Sequence, residues 1–315
     1  MIPFMKFKWA SLTLSTLFIG ASFFMIFIQR DGLVQGIDFA GGIKLEIAVN
    51  EKVTIDSLRT AFKKFNIEAG IHESGKETIE IAKVEIGGQE ETKVQKRAMT
   101  KSISKELDKS GFAINSVDYI QYLLIKELSP KKPEMIELLR QNHVGPTIGD
   151  YLKKSALKLI LITLVLITIY ITRRFRFQYA IGALVALLHD LAMTIGFIGI
   201  LGIPLSIPII AALLTILGYS INDTIVVFDR IRENLRGNEK VNFENLVDKS
   251  INQSLTRTVI TSVTTLIAIV SVYLLAGDNL RDMALVLILG IIIGTYSSSF
   301  IASPVVVLWS RVSNK

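Results

Sequence analysis

Apolar positions fall into six long runs, one at the start of the chain and five in its second half, while the stretch between them alternates with shorter periods. The first run, Trp9 to about Ile28, is long enough to cross a hydrocarbon core of ~30 Å at about 1.5 Å per residue. It exceeds the apolar part of a signal peptide, and Gln29, Arg30 and Asp31 come after it with no small-x-small cleavage site, so it reads as an uncleaved membrane helix. The other runs extend roughly over Leu157–Thr172, Ala180–Leu201, Ser206–Phe228, Val259–Leu275 and Met283–Val307. The second run is the shortest and starts beside Lys153, Lys154 and Lys158, whose stems can snorkel.

Between the first two runs the periods predict a small mixed domain. Ile43 to Val49 alternates with period two and reads as a half-exposed strand. Leu58, Ala61, Phe62 and Phe65 mark an amphipathic helix from Ile55 to Phe65. Thr78 to Ile86 is a second strand, Glu91 to Lys109 a second helix ended by Ser110-Gly111, and Phe112 to Tyr119 a third strand. Pro130 and Pro133 break the next stretch, a further helix is expected over Glu134 to Gln141, and Val144-Gly-Pro-Thr-Ile-Gly149 reads as a turn. The expected organisation is therefore membrane helix 1 over 1–29, an extracytoplasmic domain over 30–154 and a five-helix membrane region over 155–315. The fold class is an α-helical polytopic membrane protein with six transmembrane helices and a small α+β, ferredoxin-like domain between helices 1 and 2.

Composition sharpens this picture. The chain has 315 residues, half of them hydrophobic, and its mean hydropathy of +0.47 suits an integral membrane protein with a soluble part. A net charge of +7 in a soluble chain would suggest nucleic acid. Here the basic residues crowd the ends of the apolar runs, which makes them a topology signal and leaves no nucleic-acid partner to expect. Lys6, Lys8, Arg173, Arg174, Arg176, Arg230, Arg232, Arg236, Lys240, Lys249, Arg311 and Lys315 fall on one side, and only Arg281 lies in the opposite short loops. Both termini are thus expected in the cytoplasm, with the large loop outside and Trp9 and Trp309 at one interface. The absence of cysteine excludes disulfides and thiolate chemistry. His72 and His143 lack metal-ligand spacing, so no metal is expected, and no glycine-rich phosphate loop points to a nucleotide, so no cofactor is expected either.

The chemistry concentrates in the fourth run. Asp223 lies inside it, and an ionisable residue at membrane depth costs about 2.5–3.5 kcal/mol even on the lenient insertion scale. Tyr219 and Ser220 share its helix face, and Asn222 and Thr224 adjoin it. Neutral hydroxyls would serve packing; a carboxylate suits reversible protonation. Arg257, at the start of the fifth run, begins a stripe through Thr261, Thr264, Thr265 and Ala268, and either pairs with Asp223 as a proton-sensitive switch or snorkels to the interface. His189 and Asp190 in the third run are a second relay element or a structural polar pair, and they need not touch each other. Gly290 and Gly294 form a small-xxx-small pattern, with packing as its default meaning.

Three stretches carry a family resemblance: Gly36-Ile-Asp-Phe-Ala-Gly-Gly42, Val144-Gly-Pro-Thr-Ile-Gly149 and Gly218 to Asn234. Together with Ser254-Leu-Thr-Arg-Thr258 and Gly294-Thr-Tyr-Ser-Ser298 they resemble the SecF family, the smaller subunits of SecDF protein-export complexes, and differ from the wording of SecD. The resemblance spans nearly the whole chain, through motif residues Gly36, Asp38, Phe39, Gly41, Gly42, Gly145, Pro146, Gly149, Asp229 and Arg230. It implies the resistance–nodulation–division superfamily and a proton-driven, non-enzymatic auxiliary of the SecYEG translocon acting on the exported polypeptide. Its implied partners are a six-span SecD, membrane lipid, and YajC and YidC, and its implied proton pathway is Asp223 with Arg257. One departure is expected: the family passes from its last strand into the Val-Gly-Pro turn, whereas Gln121 to Gln141 reads here as an insertion. The rival readings are half of a proton-coupled small-molecule or lipid exporter, and an intramembrane aspartyl protease with Asp190 and Asp223 as an acid dyad. Asp223 lacks the Gly-x-Gly-Asp setting of such proteases.

Overall fold

The structure, a computed structural model, describes residues 1–29, 32–49, 55–74, 80–128, 136–236, 242–276 and 278–313. Arg30, Asp31, Thr78, Pro130, Pro133, Glu134, Lys240 and Lys315 lie outside that set, as do the side chains of His72 and Arg311. The chain divides into two units, Met1–Val34 with Ala156–Lys315, and Gln35–Ser155.

The first unit is a helical bundle. A 3-10 turn, Phe4–Phe7, leads into α1 (Lys8–Phe24), which closes in a π turn at Met25–Gln29. After the second unit come α7 (Pro146–Arg174), α8 (Phe177–Leu201), α9 (Ile207–Leu235), α10 (Phe243–Leu275) and α11 (Asp278–Ser297). A second π turn, Ser298–Ala302, joins α11 to α12 (Ser303–Ser313). Among the described residues six segments are long and apolar enough to cross a membrane, in the six places the apolar runs predict. The helices outlast those runs, because backbone pairing continues into polar sequence until a breaker ends it. At α8 the breaker is Gly202, with φ +67° in the left-handed region.

The π turn has a covalent cause. Pro304 has no N–H, so the Phe300 carbonyl one turn earlier loses its helical donor. Ser11 Oγ on α1, sharing its hydrogen with Lys8 O at 2.9 Å, reaches that carbonyl at 3.0 Å, and Ser303 Oγ donates to Ser298 O at 3.0 Å. The chain start is tied to α10: Met5 N donates to Asp248 Oδ1 at 2.8 Å, Ile2 N to Asn252 Oδ1 at 2.8 Å, and Lys8 pairs with Glu244. Arg174 at the end of α7 pairs with Asp229 near the end of α9 at 2.9 Å. Phe177 at the start of α8 meets Trp309 of α12 edge to face, with centroids 6.1 Å apart. These contacts gather the chain start, the ends of α7, α9 and α12, and the starts of α8 and α10 at one end of the bundle.

The second unit is a four-stranded antiparallel sheet covered on one face by helices. A short α2 (Ile37–Ala40) precedes β1 (Gly42–Val49), α3 (Ile55–Lys64), β2 (Gly70–Ser74) and β3 (Glu80–Gly87). Next come α4 (Gly88–Ala98), α5 (Lys101–Lys109), α6 (Ser116–Leu128) and β4 (Ile136–Val144). The strand order is β2-β3-β1-β4, so β3 splits the β1-α3-β2 unit. Ile43, Leu45 and Ile47 of β1 point into a core with Leu58 and Phe62 of α3, Val94 of α4, Leu107 of α5 and Leu124 of α6. On the opposite face Lys44 pairs with Glu85 at 2.7 Å. Glu106 of α5 accepts from Lys126 Nζ (2.7 Å) and Tyr122 Oη (2.6 Å) of α6, which holds its carboxyl below the usual range.

Several expected elements are corrected. The strand expected over Phe112 to Tyr119 is instead the approach to α6, capped by Asn115, whose Oδ1 accepts from Asp118 N at 2.7 Å. The helix expected from Glu134 is strand β4, drawn into extended form by pairing along β1, with a bulge at Leu139. The single helix over Glu91–Lys109 is two, parted where Thr100 takes an extended ψ of 133°. Strand β2 was not anticipated. The segment read as an insertion is no appendage: it holds most of α6, which fills the core, and of β4, which runs directly into Gly145-Pro146.

Candidate functional site: two buried carboxylates among hydroxyls

The buried face of α9 runs Ile209, Ala212, Leu213, Ile216, Leu217, Ser220, Asp223, Thr224, Val227, Phe228, Ile231, a stripe of three- and four-residue steps. Asp223 continues that stripe, so the helix delivers its carboxylate to the interior, where it is 2 % exposed. It faces Ser262 of α10 and Thr295 of α11. Those hydroxyls lie 2.7 Å from each other, and Thr295 Oγ1 also donates to Ile291 O of its own helix at 2.8 Å. Tyr219 Oη donates to Ser262 at 3.3 Å. Asp223 Oδ2 is buried and has no hydrogen-bond partner.

The second carboxylate is fully satisfied. Asp190 of α8, 0 % exposed, accepts from His189 Nδ1 at Oδ1 (2.9 Å) and from Ser297 Oγ of α11 at Oδ2 (2.7 Å). Ser220 Oγ of α9 is its third donor. One carboxylate thus ties three membrane helices together. His189 and Asp190 do touch, through side-chain rotation across the angle that separates neighbours on a helix. His189 Nε2 is left buried and without a partner.

Close packing sets this geometry. A Cβ at Gly290 would lie 2.1 Å from Ile216 Cδ1, and one at Gly294 would lie 2.9 Å from Ser220 Cβ and 3.3 Å from its Cα. The two glycines therefore let α11 ride directly on α9 at the turn that joins Ser220 to Asp190.

The other expected residues sort clearly. Ser220 belongs to the Asp190 cluster and Tyr219 to the Asp223 cluster. Asn222 points outward, and Thr261 spends its hydroxyl on Arg257 O (2.8 Å) and Thr258 O (2.9 Å). Arg257 is exposed and makes no ion pair with Asp223, on which it acts only as a nearby charge. The register explains this: α10 presents Ser262 to Asp223, and Arg257 lies five residues back, about 7.5 Å along the axis and on another face. Asp190 and Asp223 have no hydrogen-bond partner in common, Asp190 being held by His189, Ser220 and Ser297 and Asp223 facing Ser262 and Thr295. Sequence reading gave no site role to Ser262, Thr295 or Ser297, although Thr295 and Ser297 lie in the Gly294-Thr-Tyr-Ser-Ser298 stretch that carries part of the resemblance.

A family described as protein export membrane protein SecD/SecF, C-terminal, matches residues 124–312. The protein translocase subunit SecF of Thermodesulfovibrio yellowstonii is 40% identical over 315 residues, covering 99% of this chain and 96% of that one. The chain belongs to the SecF family. A second SecF, from Desulfurispirillum indicum, is 33% identical over 98% of this chain and 91% of its own length. The crystal structure of SecDF from Thermus thermophilus, a translocon-associated membrane protein, matches 98% of this chain at 32% identity with a TM-score of 0.77. SecDF in its super-membrane-facing form matches 99% at 33% identity with a TM-score of 0.65. This chain spans only 38% of the length of either SecDF chain.

The residues of the stretches that resemble SecF have visible structural work. Gly36 precedes α2, which carries Asp38 in its first turn and buries Phe39. Gly41 and Gly42 have φ of +72° and +130°, and a Cβ on Gly42 would stand 2.1 Å from Ile86 O. A Cβ on Gly149 would meet Phe39 O at 2.7 Å, so α7 begins pressed against α2. Gly145 and Pro146 turn β4 into α7. Asp229 holds Arg174, while Arg230 holds Gln253 (2.7 Å) and Glu233 (2.5 Å), fixing the end of α9 to α7 and α10.

Proposed function

We propose that this SecF-family chain is a proton-driven auxiliary of protein export, in which Asp223 takes up and releases the proton. The observation that carries the reading is a buried carboxylate with one oxygen unpartnered, where α9, α10 and α11 meet. A purely structural carboxylate would be closed by hydrogen bonds, as Asp190 is. Titration of Asp223 changes the charge at that junction, and Arg257 on the exposed face of α10 is the charge that responds.

A SecD-type subunit is the partner for the membrane helices. Segments 147–174 and 243–275 bury only 11% of their apolar windows within this chain, against 44% for α9. On α10 the uncovered side carries Arg257 and Thr264, groups that suit a protein neighbour better than lipid. The complex then serves the SecYEG translocon, with the exported polypeptide as cargo and YajC and YidC as further partners. In this reading the chain spans the inner membrane with both termini in the cytoplasm and the 35–155 unit outside. The gathering of the chain start and the Arg174, Asp229 and Trp309 regions at one end of the bundle supports this reading, as does the basic character of that end.

The test is Asp223→Asn in membrane vesicles that export a reporter protein with and without a proton gradient. The variant should assemble with its SecD-type partner and lose the gradient-dependent stimulation. Undiminished stimulation would end the proposal.

A further inference from the structure

The hydroxyl hydrogens around Asp223 can be counted. Thr295 gives its hydrogen to Ile291 O at 2.8 Å. A hydroxyl has one hydrogen, so at the 2.7 Å contact Thr295 accepts and Ser262 donates. Tyr219 gives its hydrogen to Ser262 at 3.3 Å. As paired, each of the three hydrogens already has an acceptor, although Thr295 and Ser262 stand within bonding reach of the Asp223 carboxyl, and Asp223 Oδ2 is left buried and unpartnered. In this arrangement the hydrogen that closes the contact must come from the carboxyl group itself: protonated Asp223 donates to a free lone pair of Thr295 or Ser262. Ionised Asp223 needs a different order, in which Thr295 leaves Ile291 O and turns its O–H to the carboxylate. Threonine suits that exchange, since in a helix its side chain divides between two rotamers and back-bonding to the preceding turn is one of its options.

We propose that Thr295 is a two-position positioning residue for the proton step, donating to Ile291 O while Asp223 holds a proton and to Asp223 once the proton leaves. Ser262 keeps donating to Thr295 across the 2.7 Å contact in both positions, since Thr295 has one hydrogen and can only accept there. This rests on the reading of Asp223 as the proton-carrying group. The titratable and charged groups around it are few. Tyr219 lies one turn away on α9, and Arg257 lies on α10. Asp190 and His189 of α8 lie behind Ser220, while α11 contributes Thr295 as a neutral hydroxyl. Thr295 is therefore the group on α11 able to respond to the charge of Asp223.

The test is the pH dependence of dicyclohexylcarbodiimide labelling at Asp223, mapped by mass spectrometry in the membrane-embedded complex with its SecD-type partner. This reagent modifies protonated carboxyls in apolar settings. Wild-type labelling should fall with rising pH. In Thr295→Val, which keeps shape and removes the donor, the midpoint should move up by about one pH unit, the tenfold change that one charge-assisted hydrogen bond supports. Thr295→Ser should restore the wild-type midpoint, which a merely structural role for the side chain would not predict. An unshifted midpoint in Thr295→Val overturns the proposal and leaves the proton reading intact. Wild-type labelling that ignores pH overturns both. If Thr295→Val does not assemble, Ser262→Ala decides: a smaller shift in the same direction supports the exchange, and no shift overturns it.

Discussion

Two carboxylates sit in the same bundle and meet opposite fates. Asp190 has three donors from three helices, so its burial is offset by hydrogen bonds and its removal strands them. Asp190→Ala leaves Ser220, Ser297 and His189 without an acceptor and should lower stability by about 2–3 kcal/mol, read as a reduced thermal midpoint of the solubilised protein. An unchanged midpoint would mean that the network holds nothing. Asp223 has hydroxyls nearby but no closed bond on Oδ2, and this difference is the ground for proposing Asp223 rather than Asp190 as the proton carrier. Asp223 could be singled out from sequence because a charge in an apolar run carries a cost that needs a reason. Its hydroxyl neighbours could not: Ser262, Thr295 and Ser297 are ordinary membrane-helix residues until the fold brings three helices together. The absence of a direct Arg257–Asp223 ion pair was likewise out of reach of the sequence, since a five-residue offset on α10 cannot be read without knowing which turn faces α9.

At the scale of elements, the site depends on how closely α11 lies on α9. Gly290→Ala and Gly294→Ala should each cost about 1–3 kcal/mol through overpacking. They should differ in function. Gly290 meets the side chain of Ile216, which can turn aside, whereas Gly294 presses on Ser220 itself and so disturbs the residue that holds Asp190. Export in vesicles should therefore fall further in Gly294→Ala than in Gly290→Ala, and equal export in the two would contradict this coupling. The membrane helices were legible because twenty apolar residues have few other uses. The soluble unit was less so. Strand β2 has Ile71 as its one strongly apolar residue, too little for a period. The Ile136-Glu-Leu-Leu-Arg140 stretch suits a helix locally, and only pairing along β1 makes it a strand. The helix start at Ser116 was hidden in its cap, Asn115, behind apolar residues that mimic a strand's alternation.

For the whole molecule, the six-helix framework and the 35–155 unit are joined through α7, in which the boundary at Ser155 and Ala156 falls. The chain carries the Asp223 junction within its own α9, α10 and α11, while the thinly covered 147–174 and 243–275 segments leave surface for a second subunit. Its membership of the SecF family agrees with a chain that forms part of a larger assembly, since it spans 38% of the SecDF chains it resembles. One claim about that assembly is central: protons cross it by way of Asp223. The direct measurement is gradient-driven proton flux into proteoliposomes holding this chain with its SecD-type partner, compared between wild type and Asp223→Asn. Flux is expected in the wild type, with a fall to the protein-free leak in the variant. Equal flux in the two would contradict the claim.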